Sequence, residues 1–262
     1  MLRFKSLGSG STGNATLVQA SGIRAVRLLI DCGLGLKQLL LRLAQALPSE
    51  DAPVDAIFIT HEHSDHIGCA RQFAQRHRIP VWMSRGTYEA LGCPDFDGLL
   101  NITADGQSID LGELQFTPFT VPHDAREPLQ LSCTDGNAKL GVLTDLGHAT
   151  PHVLTHLAGC QALLLECNHD TDLLAKSSYP VFLKNRIGGR YGHLSNTAAA
   201  SISAALAHAG LKHVVAAHLS AQNNSPSLAL EALLSNVAPL WGGPELSVAH
   251  PTDGTHWIQL NA

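Results

Sequence analysis

Residues 56–66 read Ala-Ile-Phe-Ile-Thr-His-Glu-His-Ser-Asp-His, an apolar run that ends in three histidines and an aspartate within six positions. A short run of this kind fits a buried strand, so the fold must place a stiff strand directly before a cluster of metal-type ligands. His61 and His63 alternate, and in an extended exit from the strand they point to one side. Asp65 and His66 are adjacent, and at the first turn of a following helix they face the same space from another direction. Imidazole nitrogen and carboxylate oxygen are donors for zinc, manganese or iron. Four such groups can serve two cations as well as one. A solvated, inert histidine loop is the competing reading. It leaves unexplained why ligand-type residues close other strands too.

A chain of 262 residues, 45% hydrophobic and 15% charged, has enough apolar side chains for a sizeable core. It reads as one domain over residues 1–262. The first ten residues carry no signal-type apolar region, and no run approaches a membrane span. A cytoplasmic protein without membrane contact is expected. The six cysteines form no Cys-x-x-Cys pair and read as reduced thiols. A net charge of −5 provides no global basic field for nucleic acid, although a local basic patch remains compatible with it. Histidine is the outlier, with 15 against 17 lysines plus arginines.

Strand-like runs fall at Leu2–Leu7, Thr16–Gln19, Val26–Ile30, Ile57–Thr60, Val81–Met83, Leu114–Thr120, Leu129–Cys133, Lys139–Leu143, Ala162–Glu166, Val214–Ala217 and His256–Leu260. Helical periodicity marks Gly35–Leu47, Ile67–Arg76, Asn196–Ala209 and Ser227–Val237, with Pro48 and Pro53 bracketing a loop. The mixture predicts sheets inside and helices outside. Five strands end in a ligand or proton-transfer residue: His61, His123 (followed by Asp124), Asp145, Glu166 and His218. Strand ends of one sheet region converge on a shared rim, where rigid scaffolds hold sites.

With these residues in place, the sequence resembles the metallo-β-lactamase-fold hydrolases. The signature is His61-Glu-His63-Ser-Asp65-His66, followed by His123, Asp145 and His218. Within that superfamily it is similar to the YycJ/VicX-like group, relatives of the RNase Z and phosphodiesterase branches. The matching stretches are Gly8-Ser-Gly-Ser-Thr-Gly-Asn14-Ala, Asp31-Cys-Gly, Glu166-Cys-Asn-His-Asp170, Gly192-His-Leu-Ser-Asn196 and Ala217-His-Leu-Ser220. The resemblance implies an α+β fold, a four-layer αββα sandwich with a dinuclear site at the edge of its two sheets. It implies one metal on His61, His63 and His123, a second on Asp65, His66 and His218, and Asp145 bridging both. The cofactors would be two divalent ions, zinc foremost, with manganese or iron as alternatives. A bridging aspartate instead of a cysteine argues against penicillin hydrolysis.

In RNase Z-like enzymes a glutamate and a histidine assist the leaving group. The matching residues are Glu166 as orienter and His193 as general acid, and Asp65 completes the catalytic set. A helix-capping role before Ser195-Asn196 is the alternative for His193. The glycine-rich turn, through Ser11 and Asn14, is as fit to cradle a phosphate as to make a tight hairpin. Lys184, Arg186 and Arg190, with Lys176, Tyr179 and Tyr191, form a basic aromatic segment before His193. It suits phosphate gripping and base stacking as well as plain solvation. Asp31 reads as a carboxylate near the cluster or as a turn, and His148, His152 and His169 as neighbours of the site without an assigned role. The expectation is a metal-dependent phosphodiesterase, plausibly an exonuclease on nucleic acid. The alternatives are a small-molecule hydrolase (cyclic phosphodiester, lactone or thioester) and a non-catalytic metal-binding regulatory protein. The pattern sets no oligomeric state.

Overall fold

The computed structural model of the protein describes residues 1–48, 54–236 and 243–260. The chain begins with β1 (Leu2–Gly8), β2 (Ala15–Ser21), β3 (Ala25–Ile30), α1 (Leu36–Ala46), β4 (Ala56–Phe58), α2 (Ser64–Ile67), α3 (Ala70–His77), β5 (Val81–Ser84), α4 (Arg85–Ala90) and β6 (Leu100–Thr103). It continues through β7 (Ile109–Asp110), β8 (Gln115–Thr120), β9 (Leu129–Thr134), β10 (Lys139–Leu143), α5 (Pro151–Leu157), β11 (Ala162–Glu166), α6 (Thr171–Lys176) and α7 (Val181–Ile187). It closes with α8 (Asn196–Ala205), β12 (His213–Ala217), α9 (Pro226–Asn236), β13 (Glu245–Val248) and β14 (Ile258–Leu260).

Two seven-stranded sheets result, in the orders β14-β1-β2-β3-β4-β5-β6 and β13-β12-β11-β10-β9-β8-β7. They face each other through a shared apolar layer in which Phe4, Val18, Leu28 and Phe58 meet Phe116, Leu131, Leu140 and Leu164. Phe58 and Phe116 pack edge to face with ring centroids 5.6 Å apart, a favoured aromatic geometry. Burying one such phenylalanine is worth about 1.5–3 kcal/mol. Strand alternation turns Leu17, Leu29 and Ile57 to the opposite face, under Leu39 and Leu43 of α1 and Phe73 of α3. On the other sheet, Leu163 and Val214 lie under Val153 and Leu157 of α5, Ile202 of α8 and Leu233 of α9. This is the expected αββα sandwich.

Strands β3 to β6 run parallel, as do β10 to β13. Their C-terminal ends therefore open on common edges, which positions Asp31, His61, Asp145, Glu166 and His218.

Several elements depart from the sequence reading. The helix expected over Ile67–Arg76 is split into α2 and α3 at Gly68, whose φ is +31°. A Cβ there would run into the Cys32 carbonyl oxygen, so glycine is required. The helix expected to Ala209 stops at Ala205. The expected helix end Val237 and the loop residue Pro53 lie outside the described residues. β6, β7, β13, α4, α5, α6 and α7 were not anticipated. Thr150-Pro151 is a start signal for α5, because Thr150 Oγ accepts the Val153 N–H. Asp170 caps α6 in the same way. The basic segment, for which the sequence suggests no element, contains α7. Among the described residues, no helix is long and apolar enough to cross a membrane.

Candidate metal centre and active site

Just beyond β4, His61 and His63 leave the strand in the orientation the alternation predicts. Nε2 of His61 lies 3.1 Å from Nδ1 of His63, which lies 3.3 Å from Nε2 of His123. Three ring nitrogens thus converge on one point, a group able to hold a metal ion. Burial pushes His61 well below its ordinary pKa, and the neighbouring His66 pushes it further. Burial also lowers His123. Both rings are therefore neutral donors, the form a cation needs.

Asp65 and His66 open α2, as their adjacency suggests. With His218 they form a second group able to hold a metal. Asp65 Oδ2 is 3.6 Å from His66 Nε2 and 3.5 Å from His218 Nε2. Asp145 stands between the groups, with Oδ2 2.9 Å from His66 Nε2 and Oδ1 3.0 Å from His218 Nδ1. Asp145 also joins His61 and His66 in a metal-compatible set. Two buried atoms, Asp145 Oδ2 and His218 Nε2, have no hydrogen-bond partner. Orphaned donors and acceptors are rare in interiors. Here Asp145 Oδ2 lies against the His66 imidazole and His218 Nε2 against the Asp65 carboxylate, so the residues fit a pair of divalent ions.

The far sides of the rings are fixed by the fold. His61 Nδ1 meets Thr60 Oγ1 at 3.0 Å, His66 Nδ1 meets Asp31 Oδ2 at 2.7 Å, and His123 Nδ1 donates to the Gly192 carbonyl at 3.1 Å. Asp31 is itself held by the Thr60 N–H and hydroxyl. Such contacts set the ring orientation that a metal ligand needs. Asp31, Asp145 and His218 adopt positive φ of 62°, 53° and 53°. Non-glycine residues take this conformation at a cost and are enriched at functional sites.

Glu166, fully buried at the end of β11, binds the next pair of histidines. Its Oε1 lies 2.8 Å from His193 Nδ1 and 3.0 Å from His218 Nδ1, and Oε2 accepts the Leu194 N–H. Burial would raise Glu166, but the His193 charge and these hydrogen bonds outweigh it and hold the carboxyl at about 2. Burial likewise opposes the charge on His193. Glu166 and then Asp145 overcome this and hold His193 at about 9. The side chain is 24% exposed and lines the cleft. With Nδ1 engaged by Glu166, Nε2 is the nitrogen left for the cleft.

The cleft encloses about 440 Å³ and is lined by Ser11, His63, Asp65, Asp145, His193 and His218 on the floor side. Tyr179, Leu183 and Arg186 line it from the α6–α7 segment. Arg186 Nε donates to Asp124 Oδ2 at 2.6 Å. Of the sequence-selected substrate residues, the structure places Ser11 and Arg186 in the cleft lining. Lys184 points its Nζ to the Ala175 carbonyl instead, and Arg190 is exposed outside the lining. Asn14 is buried: its side chain accepts the Gly10 N–H and contacts Asp65 and His66. His148 meets the Arg190 carbonyl and His152 meets Asp105, both away from the cleft. His169 is buried beside Ser195. Burial and the Glu166 charge push the Cys167 thiol up, which makes it a poor ligand.

Sequence reasoning did not anticipate Ser9, whose hydroxyl accepts the His218 N–H, or Thr60 and the Gly192 carbonyl as ring partners. Ser9 and Gly192 lie inside motifs that had been quoted, but their targets are distant in sequence.

Residues 26–219 match the β-lactamase superfamily domain. The chain belongs to the metallo-β-lactamase superfamily. This superfamily member is 35% identical over 237 residues to exodeoxyribonuclease YycJ of Bacillus anthracis, covering 87% of this chain and 86% of that one. It is 30% identical over 241 residues to exodeoxyribonuclease WalJ of Streptococcus pneumoniae, covering 90% and 88%. Its fold is shared with the metallo-β-lactamase fold protein YhfI of Bacillus subtilis. That structure superposes with a TM-score of 0.75 at 18% identity, covering 99% of this chain and 100% of the other.

Proposed function

We propose that the protein is a dinuclear metal-dependent phosphodiesterase that acts on nucleic acid as an exonuclease. The supporting observation is the His193–Glu166 pair set beside two metal-compatible groups, with Asp145 against His66 and His218. His61, His63 and His123 would hold one divalent ion and Asp65, His66 and His218 the other, with Asp145 between them and zinc the first choice for this donor set. When bound, such ions supply an activated water at neutral pH and offset the charge that builds at phosphorus.

The chain's own residues do the rest. His193, whose charged form Glu166 favours, is held by that carboxylate with Nε2 toward the cleft, placed to protonate the departing alkoxide oxygen. Such help contributes roughly 10²–10⁴-fold and is needed most by a poor leaving group. Arg186 sits at the cleft wall as a phosphate contact, and Tyr179 offers a ring beside it. Ser11 also lines the cleft. Val181 and Phe182 of α7 and Tyr191 are exposed on the same segment, and the two rings suit an unpaired base. Contacts from Lys184 and Arg190 need a strand longer than the cleft. The identity with YycJ and WalJ supports DNA as the substrate.

A small-molecule reading is favoured by the cleft's volume, about 440 Å³, which lies in the range of small-ligand pockets. A parallel assay with added Zn²⁺ or Mn²⁺ separates the two. It compares bis(4-nitrophenyl) phosphate, end-labelled DNA and RNA, a lactone and a β-lactam. Stepwise shortening of end-labelled DNA is the expected result. Turnover of the lactone alone rejects the nuclease reading.

A further inference from the structure

A second set of ligand-type side chains lies on the protein surface, on elements that contribute nothing to the cleft lining. His152 and His156 are one turn apart on α5, a spacing that puts both rings on one helix face. Their ring centroids are 4.5 Å apart. Asp105, from the loop between β6 and β7, brings its Oδ1 to 2.7 Å from His152 Nε2. One donor atom from each of the three residues falls within 4.8 Å of the others.

Each member is oriented by the fold. The Thr120 N–H donates to Asp105 Oδ1 at 2.7 Å. The His156 ring stacks on the buried Phe119 ring at 5.0 Å and 18°, which fixes its plane. The cluster is also reachable from solvent, because the His152 and Asp105 side chains are each 44% exposed. Lys139 lies at the end of α5, where its Nζ donates to the His156 and Ala158 carbonyls.

We propose that Asp105, His152 and His156 form a separate binding site for one first-row divalent transition metal ion. Two imidazoles and one carboxylate suit zinc, nickel, cobalt or copper and not magnesium or calcium, which prefer all-oxygen sites. Three protein ligands leave the remaining coordination positions to water, in keeping with the exposure. Binding at His152 Nε2 breaks the hydrogen bond to Asp105 Oδ1 and leaves the ring proton on Nδ1, and no redox change is involved. The ion would tie together the β6–β7 loop, α5 and the end of β8. From that end the chain needs only Val121 and Pro122 to reach His123, so the clamp would steady the segment that carries this histidine.

The test counts zinc in the full-length protein after equilibrium dialysis against micromolar free Zn²⁺, by inductively coupled plasma mass spectrometry. The wild type is expected to hold one equivalent more than the His152→Ala/His156→Ala double variant, and Asp105→Ala to weaken that equivalent. In an Asp145→Asn background, which disables the cleft, one equivalent should survive and vanish with the double substitution. The altered side chains are on the surface, and a matching circular dichroism spectrum verifies the fold. Equal zinc contents in the wild type and the double variant, in both backgrounds, would overturn the proposal.

Discussion

The two halves of the metal centre push their buried imidazoles in opposite directions, His61 and His123 toward the neutral form and His66 and His218 toward the charged one. In the His61–His63–His123 half, burial lowers His61 and His123, helped by the charge of His66 on the first and of His193 on the second, so these two rings carry no charge to expel before an ion arrives. In the other half, carboxylates dominate. Burial would lower His66, but Asp145 and Asp31 hold it up at about 10, and Asp145 does the same for His218. One half is ready for a cation. The other neutralises its buried carboxylates with protons, which must leave before a cation enters.

The largest effect should come from the residue shared by both halves. Asp145→Asn is expected to abolish turnover and to empty both halves of metal. Retention of two cleft ions in that variant would break the idea of a shared carboxylate. His123→Ala should remove the ion from the first half only, which atomic absorption would register as the loss of one equivalent.

Asp31→Asn leaves the ligand set intact but replaces the carboxylate behind His66. It should weaken metal binding or activity by roughly 10–100-fold, most visibly in a chelator competition. An unchanged affinity would mean that Thr60 alone orients the ring.

The pH dependence sharpens the contrast further. His66 and His193 are raised to about 10 and about 9 in the folded chain, against about 6.5 when unfolded. A raised value contributes stability that is complete below the unfolded pKa and is lost as pH climbs through the folded one. The metal-free protein should therefore melt at lower temperature as pH rises from about 7 toward 10. Metal affinity should rise over the same window, with proton release measurable by calorimetry in buffers of different ionisation enthalpy. Proton-free binding would contradict the ion-pair picture. The smallest effect is expected for Arg186→Ala, whose nucleic-acid affinity should show a salt slope shallower by about one unit.

The metal-type residues were legible because each sits in a local pattern. The His-x-His-x-Asp-His run follows a strand, and His123, Asp145, Glu166 and His218 close strands that share sheet edges. The supporting contacts were not legible, since they join distant segments. The Ser9 hydroxyl reaches the His218 N–H across 209 positions, and the Gly192 carbonyl reaches His123 across 69. The α6–α7 segment shows the same limit. In sequence alone its cations are equivalent. As a helix, it separates Lys184 from Arg186, because residues two apart do not share a face. Arg186 lines the cleft, and Lys184 folds back on α6. Asn14 had been read as a substrate contact, but its amide is spent on bracing Asp65 and His66.

The central claim is that His193, poised by Glu166 beside the metal groups, protonates the leaving oxygen of a phosphodiester. Comparing His193→Ala with the wild type on DNA and on bis(4-nitrophenyl) phosphate, at matched metal content, tests it directly. Nitrophenolate departs without a proton, whereas the sugar alkoxide does not. The account predicts a loss of roughly 10²–10⁴-fold on DNA, little loss on the nitrophenyl ester, and metal retained. Equal losses on both substrates, or loss of metal, would contradict it.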